Sequence, residues 1–294
     1  MKNKITIDDT LCKKCKVCVE ICPNGIFKTE NNRTDVKSER VELCFLCGQC
    51  MAACPEKAIQ VLGLDYDKNF FDLPEVLDAD VSFDRIIQSR RSVRAFRDIP
   101  VPKDKLEQIV NALTFAPPGF PPLKTEIVVV QDKQLIKESL PYMVNLYDKL
   151  IKGLKHPVAK YIIRRQIGAK RMQTIQNHIV TMFNIKLPYM KNGTEDAITR
   201  NAQAMILFHA NKQSDNYKTD IFIALAYALL KAHSLGIGAT AIDLIPPAIE
   251  KTPCLKKLFQ IPDENEVVAS MILGYPKYKY KRAIQRQLKS ITWI

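Results

Sequence analysis

Cys12-Lys-Lys-Cys15-Lys-Val-Cys18-Val-Glu-Ile-Cys22-Pro23 is repeated 32 residues later in spacing, as Cys44-Phe-Leu-Cys47-Gly-Gln-Cys50-Met-Ala-Ala-Cys54-Pro55. Both runs read C-x2-C-x2-C-x3-C-P, and they hold eight of the nine cysteines. A compact tetranuclear iron–sulfur cube needs several thiolates converging from one tight loop and one more arriving from elsewhere, which is what a triplet with a trailing cysteine supplies. Zinc also takes C-x2-C pairs, but it uses two pairs per metal rather than two triplets each followed by Cys-Pro. A disulfide framework belongs to small secreted chains. The spacing therefore points to two 4Fe-4S clusters.

This stretch resembles the bacterial-type two-cluster ferredoxins. The resemblance implies crossed ligation, in which the fourth cysteine of each run serves the other cluster. One cluster then takes Cys12, Cys15, Cys18 and Cys54, and the other takes Cys44, Cys47, Cys50 and Cys22. Each half is expected to run strand, cysteine loop, short helix and returning strand. Ile5 to Ile7 and Ile26 to Lys28 bound the first half, Val36 to Val41 and Ile59 to Leu62 the second, and Asn31-Asn32 is a turn between them. Residues 1–62 are thus expected to be the two-cluster domain. Residues 63–81, of mixed charge and little periodicity, are expected to be a linker lying along a second domain, 82–294.

The second domain alternates helical patterns with few β-branched runs, which predicts an α+β fold with a central mixed sheet covered by helices. Helices are expected from Ser82, from Pro102 to about Phe115, over most of Leu135 to Leu187 with breaks near Gly153 to Pro157 and at Pro188, over Asp220 to Leu235, and over Ala248 to Phe259. Strands are expected at Glu126 to Gln131, Ala204 to Ala210, Gly238 to Leu244 and Glu266 to Leu273. The stretch Ala116-Pro117-Pro118-Gly119-Phe120-Pro121-Pro122 reads as a stiff loop.

Three motifs carry a second resemblance: Arg90-Arg91-Ser92-Val93-Arg94-Ala95-Phe96 with the Ala116-Pro117-Pro118-Gly119 loop, Leu235-Gly236-Ile237-Gly238-Ala239, and Ile272-Leu273-Gly274-Tyr275-Pro276. Together they resemble the FMN-binding nitroreductase family over about residues 82–294, so the whole chain looks like a ferredoxin–nitroreductase fusion. A flavin phosphate is a dianion best held by guanidinium forks and hydroxyls. The resemblance places Arg90, Ser92 and Arg94 on the phosphate and ribityl chain, with Arg91 beside them. It also implies FMN contacts from Pro118 and Gly119, a backbone contact from Asp243 and Leu244, and a basic residue after Gly-Tyr-Pro, here Arg282 with Lys279 and Lys281 as competitors. No side chain is singled out as a catalytic acid or base. Two positions depart from the family pattern: Pro121 and Leu123-Lys124 replace an Asn and a Gln-Pro, and Asp243-Leu244 follows the Gly-rich turn. Gly236-Ile237-Gly238-Ala239-Thr240-Ala241 also matches a dinucleotide fingerprint, but it follows a helix and opens a strand, the reverse of that motif.

Composition frames these readings. The chain has 294 residues, 47% of them hydrophobic, as in a globular protein. It has no apolar run long enough to span a membrane, and its reduced thiolates and basic start without an apolar core point to the cytoplasm. The net charge is +13; residues 1–62 carry ten Lys/Arg against eight Asp/Glu, so almost all of the excess lies beyond them. Such charge attracts anionic partners, and an external ferredoxin or flavodoxin is expected as electron donor in preference to nucleic acid. Cys254, the four histidines and the basic run Lys160, Arg164, Arg165, Lys170 and Arg171 read first as ordinary core or solvated positions. The expected protein is an iron–sulfur flavoenzyme passing electrons from clusters to FMN and on to a nitroaromatic, quinone or activated alkene, against a rival reading as a non-enzymatic carrier or redox sensor. The family, together with more apolar helix in Leu135 to Leu187 than one small sheet needs, predicts a homodimer.

Overall fold

The computed structural model describes residues 5–31, 33–44, 46–72, 83–119 and 123–294. Pro121 and residues 73–81 of the expected linker lie outside the described residues. Two compact units divide the chain: residues 1–90 with 278–294, and residues 91–277. The break therefore comes later than expected at the front of the chain, and the last seventeen residues stand with the first unit rather than the second.

The first unit runs β1 (Ile5–Ile7), α1 (Val17–Ile21), β2 (Phe27–Glu30), β3 (Arg33–Val36), a 3-10 turn (Ser38–Leu43), α2 (Gln49–Ala53), β4 (Ile59–Val61), α3 (Tyr66–Asn69), β5 (Phe70–Asp72) and α4 (Phe83–Ser89). Antiparallel β1–β4 and β2–β3 pairs cap the two cysteine loops. The strand expected from Val36 ends there instead, because Asn31 turns the chain at φ +47° into a hairpin and Val36 is its last paired residue. A core of Ile5, Ile26, Phe27, Met51, Ala52, Ile59, Val61 and Phe70 holds the unit together. Residues 66–72, expected as linker, form α3 and β5 because Asp65 caps the helix, its carboxylate accepting from Asp67 N–H at 2.8 Å and Lys68 N–H at 3.2 Å.

The second unit contains α5 (Lys103–Leu113), β6 (Glu126–Val130), α6 (Lys133–Leu154), α7 (Pro157–Ile167), α8 (Ala169–Thr174), a π turn (Ile175–Val180), α9 (Thr181–Lys191), β7 (Ala204–Asn211), α10 (Tyr217–Ser234), β8 (Gly238–Ala241), α11 (Ile245–Glu250), α12 (Pro253–Leu258) and β9 (Asn265–Gly274). The sheet order is β6-β7-β9-β8, all antiparallel. A parallel bridge from Ser92 to Ala239 extends its β8 edge and makes it mixed. Side chains alternate across β7 as the strand period demands: Met205 and Leu207 join the core under α6 and α9, whereas Ile206 and Phe208 join the one under α5 and α10. Helices therefore cover both faces. Pro188 does not break the chain as expected: α9 continues through it to Lys191, although its missing N–H removes one bond of the helix ladder. The segment 135–187 is also less of a surplus than its composition suggests, because Met143, Val144, Tyr147, Ile151, Phe183 and Leu187 are buried inside this unit.

From Tyr278 the chain returns to the first unit, where β10 (Arg282–Ile284) pairs antiparallel with β5, Arg282 opposite Asp72 and Ile284 opposite Phe70.

Candidate cluster and flavin sites

The two cysteine loops share one backbone. Lys14 and Lys16 in the first, and Leu46 and Gly48 in the second, have φ between +55° and +73°. These left-handed residues curl each loop so that its three thiols face inward. Each run then enters a five-residue helix, α1 or α2, and the trailing cysteine follows in extended conformation, Cys22 at ψ 114° and Cys54 at ψ 114°. The two helices pack together, so each delivers its last cysteine across to the opposite loop. Cys12, Cys15, Cys18 and Cys54 consequently line one cavity. Cys22, Cys44, Cys47 and Cys50 line another.

The electrostatics follow the same grouping. Burial pushes the Cys18 thiol up to about 12, and Cys54, Cys15 and Cys12 add to the shift. Burial also pushes Cys50 well up, with Cys47, Cys22 and Cys44 the leading charges after it. Each quartet thus resists ionisation in its low-dielectric cavity, and a cationic iron–sulfur core is what would hold all four as thiolates. Among the described residues no three His, Cys, Asp or Glu side chains close on a single metal ion; the thiols ring cavities instead. The residues fit polynuclear clusters.

In the second unit, parts of the three motifs of the flavin resemblance (residues 92–97, 238–239 and 274–277), far apart in sequence, meet at one sheet edge. Val93 N–H donates to the Ala239 carbonyl at 3.1 Å, Arg97 N–H to Tyr275 at 2.8 Å, and Lys277 N–H to Ala95 at 3.0 Å. Phe96 forms an antiparallel bridge with Pro276. Two glycines permit this approach: a Cβ on Gly238 would lie 2.7 Å from Val93 Cγ1, and one on Gly274 2.8 Å from Phe96 Cδ1. Arg91 is buried, Ser92 lies on the β8 edge, and Arg94 Nη1 donates to the Ser92 carbonyl at 3.4 Å.

Asp243 and Leu244 follow β8, and the carbonyls flanking Asp243 are both held. Ser270 Oγ donates to Ile242 O at 2.7 Å, and Tyr147 Oη to Leu244 O at 2.5 Å. Tyr147 is buried and stacked on Phe183 with centroids 4.5 Å apart, and burial, then Asp243, raises its pKa. No sequence signal marked Tyr147, since its contact spans 97 residues. Pro118 and Gly119 stand elsewhere. Gly119 N–H donates to Asp220 Oδ1 at 2.8 Å, in the first turn of α10, whereas Gly238 comes just after that helix ends. An 18-residue helix is about 27 Å long. The two parts of the expected flavin site are therefore held at opposite ends of one helix.

Arg282 is not among these residues. Its side chain is buried in the first unit, donating from Nη2 to the Pro55 carbonyl at 3.1 Å and from Nη1 to the Cys54 carbonyl. The guanidinium of Arg90 is disfavoured first by burial and then by the charge of Arg286, and Gln285, next to Arg286, donates its N–H to Asn69 O at 2.6 Å.

A model of the nitroreductase family matches residues 87–275. The chain belongs to the nitroreductase family. A 4Fe-4S dicluster domain matches residues 11–59, so this is a nitroreductase-family chain with a 4Fe-4S dicluster domain ahead of its nitroreductase domain. Among relatives, an iodotyrosine deiodinase of Danio rerio is 20% identical over 70% of this chain and 64% of its own length. A putative NADH dehydrogenase/NAD(P)H nitroreductase of Archaeoglobus fulgidus is 25% identical over 66% of this chain and 84% of its own. An uncharacterised ferredoxin of Methanocaldococcus jannaschii is 39% identical over 19% of this chain and 92% of its own. The chain thus spans just under two thirds of the deiodinase. A nitroreductase of Bacteroides fragilis with bound FMN shares the fold at TM-score 0.54, 17% identity, and coverage of 73% of this chain and 99% of that one. One from Desulfitobacterium hafniense, also with bound FMN, does so at 0.53 and 19%, covering 71% and 96%.

Proposed function

We propose that this nitroreductase takes electrons singly through its two clusters and delivers them in pairs from FMN to a small organic acceptor, a nitroaromatic, a quinone or an activated alkene. The observation that carries the reading is the presence, in one chain, of two four-cysteine cavities and a nitroreductase sheet edge. When bound, the clusters change charge one electron at a time and FMN handles one or two, so together they join a one-electron donor to a two-electron acceptor.

The chain's own residues supply binding and orientation. Arg90, Ser92 and Arg94 are proposed to hold the phosphate and ribityl chain. Gly238 lets the Ser92 strand come close, and the clamped Asp243-Leu244 peptides present fixed backbone dipoles to the flavin ring. The Pro118-Gly119 contact is proposed to come from a second copy of the chain, because Gly119 is tethered at the far end of α10. Residues 149–194 hold ten Lys/Arg and no Asp/Glu, and Lys160, Arg164, Arg165, Lys170 and Arg171 are exposed on α7 and α8. This basic face supports an acidic ferredoxin or flavodoxin as the external donor.

Anaerobically purified protein should show flavin bands over the broad iron–sulfur absorption, and the flavin bands should bleach with donor and return with acceptor. Clusters without flavin would support a non-enzymatic carrier.

A further inference from the structure

The two cysteine loops share one spacing, yet their surroundings differ. Leu11, just before the first loop, is 47% exposed, whereas its counterpart Leu43 is 5% exposed. Lys13, Lys14, Cys15 and Lys16 at the tip of the first loop are all exposed. In the second loop Leu46 stays exposed, Cys47 is half-buried and Gly48 is buried. Among the eight loop cysteines, Cys15 is the exposed one.

Cover for the second loop comes from two short strands. β10 pairs with β5, setting Ile284 opposite Phe70, and both side chains reach Gly48. A Cβ added there would lie 3.2 Å from Phe70 Cζ and 3.3 Å from Ile284 Cδ1. Lys16 holds the equivalent place in the first loop, at φ +61° against +73° for Gly48. The left-handed turn therefore accepts a side chain, and what excludes one at Gly48 is the presence of Phe70 and Ile284. Leu64, Tyr66 and Tyr280 pack on the same core beside them.

Electron exchange with an outside carrier falls steeply with the distance between the two centres, so the uncovered loop is where a carrier comes closest. We propose that the cluster of Cys12, Cys15, Cys18 and Cys54 is the port at which an external one-electron donor delivers its electron. The β5–β10 pair is then a cap that closes the cluster of Cys22, Cys44, Cys47 and Cys50 to solvent and makes it an internal relay. In the delivery step the donor loses one electron and the first cluster gains it, with no bond made or broken. The charge on α7 and α8 draws an acidic donor in at long range; the transfer itself takes place at the port. The proposal rests on the two-cluster reading, not on FMN or the acceptor, and iron and sulfide analysis decides that reading before any rate is read.

The experiment mixes anaerobic full-length holoprotein with bathophenanthroline disulfonate, a hydrophilic anionic iron chelator, and follows iron release. Wild type should release its iron in two phases, half in each. Lys14→Glu and Lys16→Glu, which repel the chelator from the first loop, should slow the fast phase about threefold and leave the slow one. Gly48→Lys sets the first loop's own residue against the cap and should speed the slow phase about tenfold, the change that overpacking of this size brings. Ile284→Ala, which thins the cap without crowding it, should speed the same phase. Stopped-flow reduction by dithionite, an anionic reductant, should slow in Lys14→Glu and Lys16→Glu but not in Leu46→Glu on the second loop. These rates stand whatever the natural donor is. A single phase in wild type, a slow phase unmoved in both cap variants, or equal slowing of reduction by Leu46→Glu would each overturn the proposal.

Discussion

At the scale of residues, the cysteines were fully legible and the arginines were not. Thiol spacing is set by a local loop, so sequence alone could group Cys12, Cys15 and Cys18, and the ferredoxin pattern could add Cys54; the structure gathers the same four around one cavity. Cys22→Ala should therefore weaken the cluster of Cys44, Cys47 and Cys50, and Cys54→Ala the one served by the first loop. Iron analysis with resonance spectra of each variant tests this, and disturbance of only the run's own cluster would sink the crossed assignment. A basic residue, by contrast, is defined by what lies around it in space. Arg282 follows Gly-Tyr-Pro, where the flavin resemblance looks for a basic residue, yet it is buried on Cys54. Hydrogen bonds to charged groups contribute about 1.5–3 kcal/mol each, so Arg90→Ala and Arg94→Ala should each lower FMN affinity tenfold or more by fluorescence titration, with iron content unchanged. Unaltered affinity in both variants would remove them from the site.

At the scale of elements, legibility followed length and periodicity. Helix α5 carries a clear 3.6 period and strand β7 a continuous apolar run, and both appeared where the pattern put them. The three-residue strands β5 and β10 carry no period. They exist because residues more than 200 apart pair, an interaction no local window contains, and so the boundary of the first unit was misread. Meeting edges can nonetheless be tested one residue at a time. A methyl group on Gly238 would fall within 3.0 Å of three Val93 side-chain atoms, so Gly238→Ala must push the Ser92 strand off β8. Overpacking of this kind costs about 1–3 kcal/mol. The variant should unfold at lower temperature and bind FMN more weakly, whereas Gly153→Ala, with nothing within 4 Å of its added methyl, should do neither. Wild-type behaviour of Gly238→Ala would mean that the edge contact does not matter to the flavin.

At the scale of the whole molecule, α10 is the element that asks for a second chain. Its sequence Tyr-Lys-Thr-Asp-Ile-Phe-Ile-Ala-Leu-Ala-Tyr-Ala-Leu-Leu is apolar nearly all round, and a helix of that kind is normally buried on every side. Here Ile221, Ala224, Leu225 and Ala228 are buried, but Phe222 remains 54% exposed and Tyr227 38%. Phe222 and Ala226, at i and i+4, lie along one stripe, and Tyr227 at i+5 sits further round the helix. The same helix separates Gly119 from Gly238, so a partner seated on this stripe would supply at one end what the chain itself holds at the other. A homodimer formed through α10 explains both facts better than the expected surplus of helix in 135–187, which is buried within its own unit. Burying a charge at such an interface is costly. Phe222→Asp should shift the protein from twice the 33.5 kDa chain mass to the monomer in sedimentation equilibrium and abolish FMN retention, while the eight cysteines keep their iron. Wild-type protein that sediments as a single 33.5 kDa species and still holds FMN would refute the shared site, and a Phe222→Asp dimer with normal flavin content would move the interface to another face.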